Sequence, residues 1–235
     1  MLLKGNLYCE LGRYEDAIEN FKQCLRLQQE HKGNEHESTA QILISLGATH
    51  ALHKEYDRSK NAYKKAIHVL KKSYGNYKDV GICWLKVGDV HMKENCLEEA
   101  IPCYEEGLSI IKAIDETDGS LWDAYYGLGL CYLRQNRYKE ALSALSNALI
   151  LPTTSHNVQK RSDTLIPLGI AQFNIGDLDD SLENLNEAIN ASISRLNGVV
   201  EAENVHKGID IALEICKCSI SFTFNRRCLY FSNSL

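Results

Sequence analysis

The sequence predicts an all-α fold, a solenoid of stacked helix-turn-helix hairpins, and three observations carry that prediction. First, five glycines, Gly5, Gly47, Gly88, Gly129 and Gly169, stand at steps of 42, 41, 41 and 40 residues. Second, other positions keep the same step. Twelve residues after each glycine comes a small residue (Ala17, Ser59, Ala100, Ala141, Ser181), and seven beyond that another (Cys24, Ala66, Gly107, Ala148, Ala188). Between them stand Phe21, Tyr63, Tyr104, Leu145 and Leu185, and before them Tyr14, Tyr56, Leu97, Tyr138 and Leu178. Third, apolar residues within each copy recur every three or four positions, the period of an amphipathic helix. Self-similarity at a fixed period marks a repeat array, in which each hairpin leaves an apolar face that the next one covers.

Copy one occupies residues 1–39. Met1 falls where its first helix is already under way, so this copy is read as truncated at its start and the chain as a fragment, an isoform or a trimmed form. Copy two, residues 40–80, contains "AIHVLKKSYGNYKD", which predicts a lengthened second helix followed by a loop. Copy three, residues 81–121, contains "HMKENCLEEAIPCYEE", a span rich enough in His, Cys and Glu to suggest a metal or acid/base site. On the repeat ruler it becomes a helix–turn–helix corner. His91 takes the place of Tyr8, His50, Tyr132 and Gln172, a slot that selects bulk with a polar tip rather than metal coordination, which needs fixed ligand types. Pro102 should remove one backbone hydrogen bond from the second helix and bend it.

Copy four, residues 122–161, shows two helices parted by "RQN". In copy five, residues 162–198, Pro167 is expected to delay the start of the first helix. Residues 199–218 keep helical spacing without the repeat signature and are expected to cap the last apolar face. Residues 219–235 form a non-repeat tail. It is either a frayed terminus or a segment lying against the array, since it carries Phe222, Phe224, Leu229, Tyr230 and Phe231.

The chain has 235 residues, 44% hydrophobic and 24% charged, with 26 Lys+Arg against 31 Asp+Glu and a net charge of −5. That balance argues against binding nucleic acid through a basic footprint. Only three prolines occur, which favours long helices. No apolar run approaches the ~18 residues of a membrane span, and "MLLKGNLYCE" lacks the core of a secretory signal. Nine cysteines, an odd count at irregular spacing, do not suggest a disulfide framework; they read as small apolar packers in a reducing, cytoplasmic setting. No phosphate loop, nucleophile elbow or zinc-protease motif is present. The chain is therefore expected to be no enzyme, with no catalytic, cofactor-binding or metal residues.

The pattern L-G-x-x-Y followed by G/N-x-Y-x-x-A-x-x-x-F/Y-x-x-A, seen best in Leu128–Leu149 and in Leu11–Leu25, resembles the tetratricopeptide repeat (TPR). The resemblance spans roughly residues 1–200 and implies a right-handed solenoid. The family's usual period is about 34 residues, and the longer period here is similar to that of kinesin light chains and of the adaptors that orient mitotic spindles. Both bind peptide segments of partner proteins.

The resemblance also implies that first helices line a concave groove. Counted from the glycines, its candidates are Asn6 in copy one and Gln41, Ile44, Ser45 and Ala48 in copy two. Copy three adds Ile82, Lys86, Asp89 and Lys93; copy four adds Asp123, Tyr126, Leu130 and Arg134. Copy five adds Ile166, Ile170, Phe173 and Asn174. The Lys-Asn-Asn-Lys-Arg set by which some family members clamp a chaperone carboxylate is replaced here by Leu2, Asn6, Ser45, Ile82 and Lys86, which disfavours that role. The expected function is a non-catalytic scaffold that holds a protein or peptide partner, with neither nucleic acid nor membrane. The alternative is the regulatory repeat arm of a larger enzyme or signalling protein whose effector domain lies outside this chain.

Overall fold

The computed structural model describes residues 2–73, 77–152 and 158–196, and among these it contains ten helices and no strand. The capping helix expected over 199–218 and the tail over 219–235 lie outside the described residues. The chain divides into two compact units, Met1–Ser155 and His156–Leu235. In the first, α1 (Leu2–Glu10), α3 (Glu37–Leu52), α5 (Tyr77–Lys93) and α7 (Leu121–Arg134) each pair with the helix that follows. Those partners are α2 (Tyr14–Lys32), α4 (Tyr56–Lys72), α6 (Leu97–Ile114) and α8 (Tyr138–Ile150). The second unit holds one more such hairpin, α9 (Val158–Ile175) with α10 (Leu178–Leu196).

The recurring residues have distinct physical jobs. Tyr14, Tyr56, Leu97, Tyr138 and Leu178 are the first residues of the five second helices. The small residues Ala17, Ser59, Ala100, Ala141 and Ser181 are all buried. Where that residue is serine, it also bonds: Ser59 Oγ donates to the Gly47 carbonyl at 2.7 Å and Ser181 Oγ to the Gly169 carbonyl at 2.8 Å. A paired buried hydroxyl avoids the desolvation cost of an orphan one, so serine and alanine are interchangeable here.

The glycines do more than bring backbones together. Sixteen residues on from each stands the large residue of the same copy, packed directly over the glycine. A Cβ built on Gly5 would lie 2.5 Å from the Phe21 ring, and one on Gly129 would lie 2.5 Å from Leu145. The side chain therefore occupies the space a Cβ would need, instead of packing beside a bare backbone contact.

The five corners share one geometry. Gly12, Lys54, Asn95, Asn136 and Gly176 all have positive φ. One residue later a backbone N–H reaches five residues back: Arg13 to Tyr8, Glu55 to His50, Cys96 to His91, Arg137 to Tyr132 and Asp177 to Gln172. This satisfies carbonyls that the first helix would otherwise leave bare. Glycine and asparagine tolerate the left-handed region; lysine does not, and pays with backbone strain of about 1–2 kcal/mol. Lys54 is exposed, so little else holds it there. Lys54→Gly is expected to raise stability by roughly 0.5–1 kcal/mol after the added freedom of the unfolded chain is deducted. A urea midpoint equal to or below wild type would contradict this.

The long period is shared between both helices of a pair. The second helices α2, α4 and α6 have 19, 17 and 18 residues, and the first helices α3, α5 and α9 have 16, 17 and 18. Pro102 is accommodated within α6, which runs on for twelve more residues to Ile114. The expectation for Pro167 was wrong. Helix α9 starts at Val158, nine residues before it, so the proline sits inside the helix and delays nothing.

Candidate functional site

Within the first unit, α1 touches α3 and α5 touches α7 directly, and Gln41 Nε2 of α3 donates to Asp79 Oδ2 of α5 at 3.2 Å. The first helices thus adjoin one another along one wall, here termed the inner wall, and the groove candidates of copies one to four belong to them.

A polar cluster joins α5 to α6. Tyr104 is fully buried, its ring between Gly88 and Gly127, where added Cβ atoms would stand 3.0 and 2.5 Å away. Its hydroxyl donates to Asp89 Oδ1 at 2.8 Å, while Lys86 Nζ donates to Asp89 Oδ2 at 2.9 Å. Burial works to lower the Lys86 pKa, but the charge and hydrogen bond of Asp89 and the charge of Asp123 outweigh it and hold the pKa up. Burial, together with Asp89, pushes the Tyr104 phenol up, so it stays a donor. One hydrophobic-core residue therefore fixes the rotamer of a carboxylate on the wall. Sequence spacing marked Tyr104 only as bulk; that its hydroxyl reaches Asp89 is visible only once α5 and α6 are packed.

The remaining candidates divide by what they touch. Tyr126 stacks on Trp122 at 4.5 Å between ring centroids, an aromatic pair in which Trp122 was missed by the repeat count. Arg134 Nη1 donates to the Met92 carbonyl at 3.3 Å, binding the end of α7 to the end of α5. Asp123 and Leu130 are half-buried on α7, and Lys93 is exposed at the end of α5 with no carboxylate in ion-pair range among the described residues. Ile44 packs against the clusters around Leu70 and Tyr63 and is in part a packing residue, as Ile82 is against the cluster around Tyr104. Ser45 Oγ bonds its own helix at the Gln41 carbonyl; Asn6 and Ala48 are exposed.

In the second unit, Phe173 and Ile166 are half-buried and Ile170 is exposed, while Asn174 Nδ2 donates to the Ile170 carbonyl at 2.8 Å. Of the carboxylate-clamp positions, Leu2 is apolar, Ile82 and Ser45 are engaged as described, and Lys86 is committed to Asp89.

The slot of Tyr8, His50, His91, Tyr132 and Gln172 is structural, and in copies one, two and four its occupant pairs with the residue five positions later. Arg13 lies over the Tyr8 ring and Arg137 over the Tyr132 ring, at 4.7 and 4.5 Å from the centroids. His50 is buried and places Nδ1 2.5 Å from Glu55 Oε2. Burial holds the His50 pKa below its usual value in spite of Glu55; burial and the charge of Lys60 do the same for His91. No group of three or more metal-ligating side chains is gathered among the described residues. Cys96 is the residue before α6, Cys103 is buried, and Glu98, Glu99, Glu105 and Glu106 are exposed. No described helix is long and apolar enough to cross a membrane.

Comparison with known proteins agrees with this architecture. Protein HGV2 of Halocynthia roretzi is 38% identical over 79 residues, a match covering 33% of this chain and 16% of HGV2, so the match takes in a small part of that relative. BtubC (BKLC) from P. vanneervenii superposes with a TM-score of 0.73 at 18% identity over 84% of this chain and 80% of that one. The putative kinesin light chain nearly identical TPR-like repeats of Podosopora anserina give 0.66 at 14% identity over 85% and 95%. YrrB, described as a TPR protein with an unusual peptide-binding site, gives 0.52 at 20% identity over 80% and 82%. At these identities the likeness is one of fold. A family model for anaphase-promoting complex subunit 5 matches residues 125–196. The model for the tetratricopeptide repeat matches residues 1–72 and 81–149, more than half of the sequence. The chain belongs to the tetratricopeptide repeat family.

Proposed function

We propose that this protein is a non-catalytic scaffold, an adaptor that holds a peptide segment of a partner protein along the inner wall of its first helices. The observation that carries this is the ordered polar cluster of Lys86, Asp89 and Tyr104, together with the Trp122–Tyr126 stack on the neighbouring first helix α7. Preset charged and aromatic groups on a rigid surface are what recognition of a peptide requires, because little side-chain entropy is lost on binding. Lys93 would add an unpaired cation to that wall, and Gln41, Asp123, Leu130 and Arg134 its polar and apolar flanks; Phe173 and Asn174 offer the corresponding helix face of the second unit. YrrB, a similar TPR protein described as having a peptide-binding site, supports this class of partner. A cytoplasmic setting suits the six described cysteines, all of which are free.

Because Lys86 is engaged with Asp89, its reversal would disturb the fold as well as the surface. Lys93→Glu is the cleaner variant. It is expected to weaken capture of the native partner about tenfold, the scale of one well-placed charge contact, with an unchanged melting curve. Affinity capture from the native cell, with quantitative mass spectrometry of wild type against Lys93→Glu, measures it. An identical set of captured proteins at identical yields would sink the inner-wall assignment.

A further inference from the structure

Helix α4 departs from the charge balance of the chain. It carries Arg58, Lys60, Lys64, Lys65, Lys71 and Lys72 against one carboxylate, Asp57, in a protein whose net charge is −5. Three of these cations are satisfied: Arg58 by Glu55, Lys60 by Asp57 and Glu94, and Lys72 by Glu35. Lys64 and Lys65 have no carboxylate within ion-pair distance among the described residues, and His68 lies near enough to Glu35 for its charge to help lower that carboxyl.

These three side chains border an open cleft of about 470 Å³ among α2, α3 and α4, and none of the inner-wall candidate residues lines it. Its apolar lining comes from Leu25 of α2, Leu43 of α3 and Val69 of α4. The side formed by α2 and the following loop contributes Gln29 and Asn34, which are neutral. The cleft therefore has apolar walls and a cationic border, and no acidic residue lines it. Glu35 shows how a carboxylate meets this helix: it reaches from the α2–α3 loop to Lys72 Nζ at 2.6 Å, and that pairing holds the Glu35 carboxyl below the usual range.

We propose that this cleft is a second docking site, separate from the inner wall, for an acidic segment of a protein partner that carries a bulky apolar side chain. The apolar side chain fills the cleft and gains from leaving water. Carboxylates on either side of it pair with Lys64 and Lys65, which fixes register and speeds encounter. A nucleic acid or an anionic membrane would meet the cations but leave the apolar lining wet, and the net negative charge of the chain opposes a long polyanion.

The probe is a fluorescein-labelled peptide with the core Asp-Asp-Leu-Glu-Glu, titrated by anisotropy with the full chain at two salt concentrations. Saturable binding that weakens with salt is expected. Lys64→Glu combined with Lys65→Glu should lower affinity at least about tenfold, as should replacing the peptide's leucine by serine. Lys93→Glu should leave it unchanged. Both lysines are exposed, so circular dichroism of the double variant should match wild type. Equal affinity in the double variant, equal affinity for the serine peptide, or loss on Lys93→Glu would overturn the proposal. So would absence of peptide binding, including the case where phosphatidylserine vesicles or single-stranded RNA bind in its stead.

Discussion

Tyr104→Ala is expected to lower stability by about 4 kcal/mol, the range for deleting a fully buried aromatic side chain. Tyr104 is 0% exposed and lies among Leu85, Ala100, Leu128 and Cys131, so the vacated volume borders three helices and cannot collapse onto one flexible neighbour. The cost includes the hydrogen bond to Asp89, which would keep Lys86 but lose its buried donor. In a repeat array stability is close to a sum of neighbouring interfaces, so damage should be local. Amide protection should fall first in α5–α8. Denaturant titration with hydrogen exchange measures both, and a loss below about 1 kcal/mol would show that Tyr104 is not the keystone of this region. Tyr104→Leu should cost less, since Leu145 and Leu185 fill the same position in copies four and five.

Gly127→Ala is expected to cost about 2 kcal/mol. The new methyl would stand 2.5 Å from two ring atoms of Tyr104, and the ring has little room to retreat, because even a Cβ built on Gly88 would come within 3.0 Å of it. Overpacking of this kind costs roughly 3 kcal/mol, offset by about 1 kcal/mol because alanine suits a helix better than glycine. The two sites are coupled. With Tyr104→Leu in the background the ring is gone, and the added methyl should become neutral or stabilising. A double-mutant cycle on the urea midpoints decides it. Additive costs would mean that the Gly127 clash relaxes elsewhere.

The contrast between Gly88 and Gly127 shows what could be read in advance. Gly88 lies on the repeat ruler, and its partner sixteen residues on was countable. Gly127 has no counterpart: the matching residues of copies two, three and five are Ser45, Lys86 and Pro167. Its reason is a ring supplied by the preceding hairpin, so no period within copy four could have announced it. Trp122 was passed over for the same kind of reason. It pairs with Tyr126 four residues on, a contact specific to α7 that other copies do not repeat. The corner residues were legible in part. Gly12 and Gly176 suggest a left-handed turn, but Lys54 hides it, and only backbone geometry shows that all five corners are alike.

By itself the sequence determined the all-helical class, the five pairs of helices, the residues at their contacts and the family, because hairpin packing repeats at a fixed step and leaves its mark in every copy. Tertiary structure decided how those contacts are used. It put the large side chains on top of the glycines, joined a core tyrosine to a carboxylate of the inner wall, and gathered Lys64, Lys65 and His68 around an apolar cleft shared by three helices. The reason is physical. Repeated local packing is periodic and so is written in spacing, whereas charge pairing and clefts depend on which different side chains meet from successive hairpins, and nothing in the period records that.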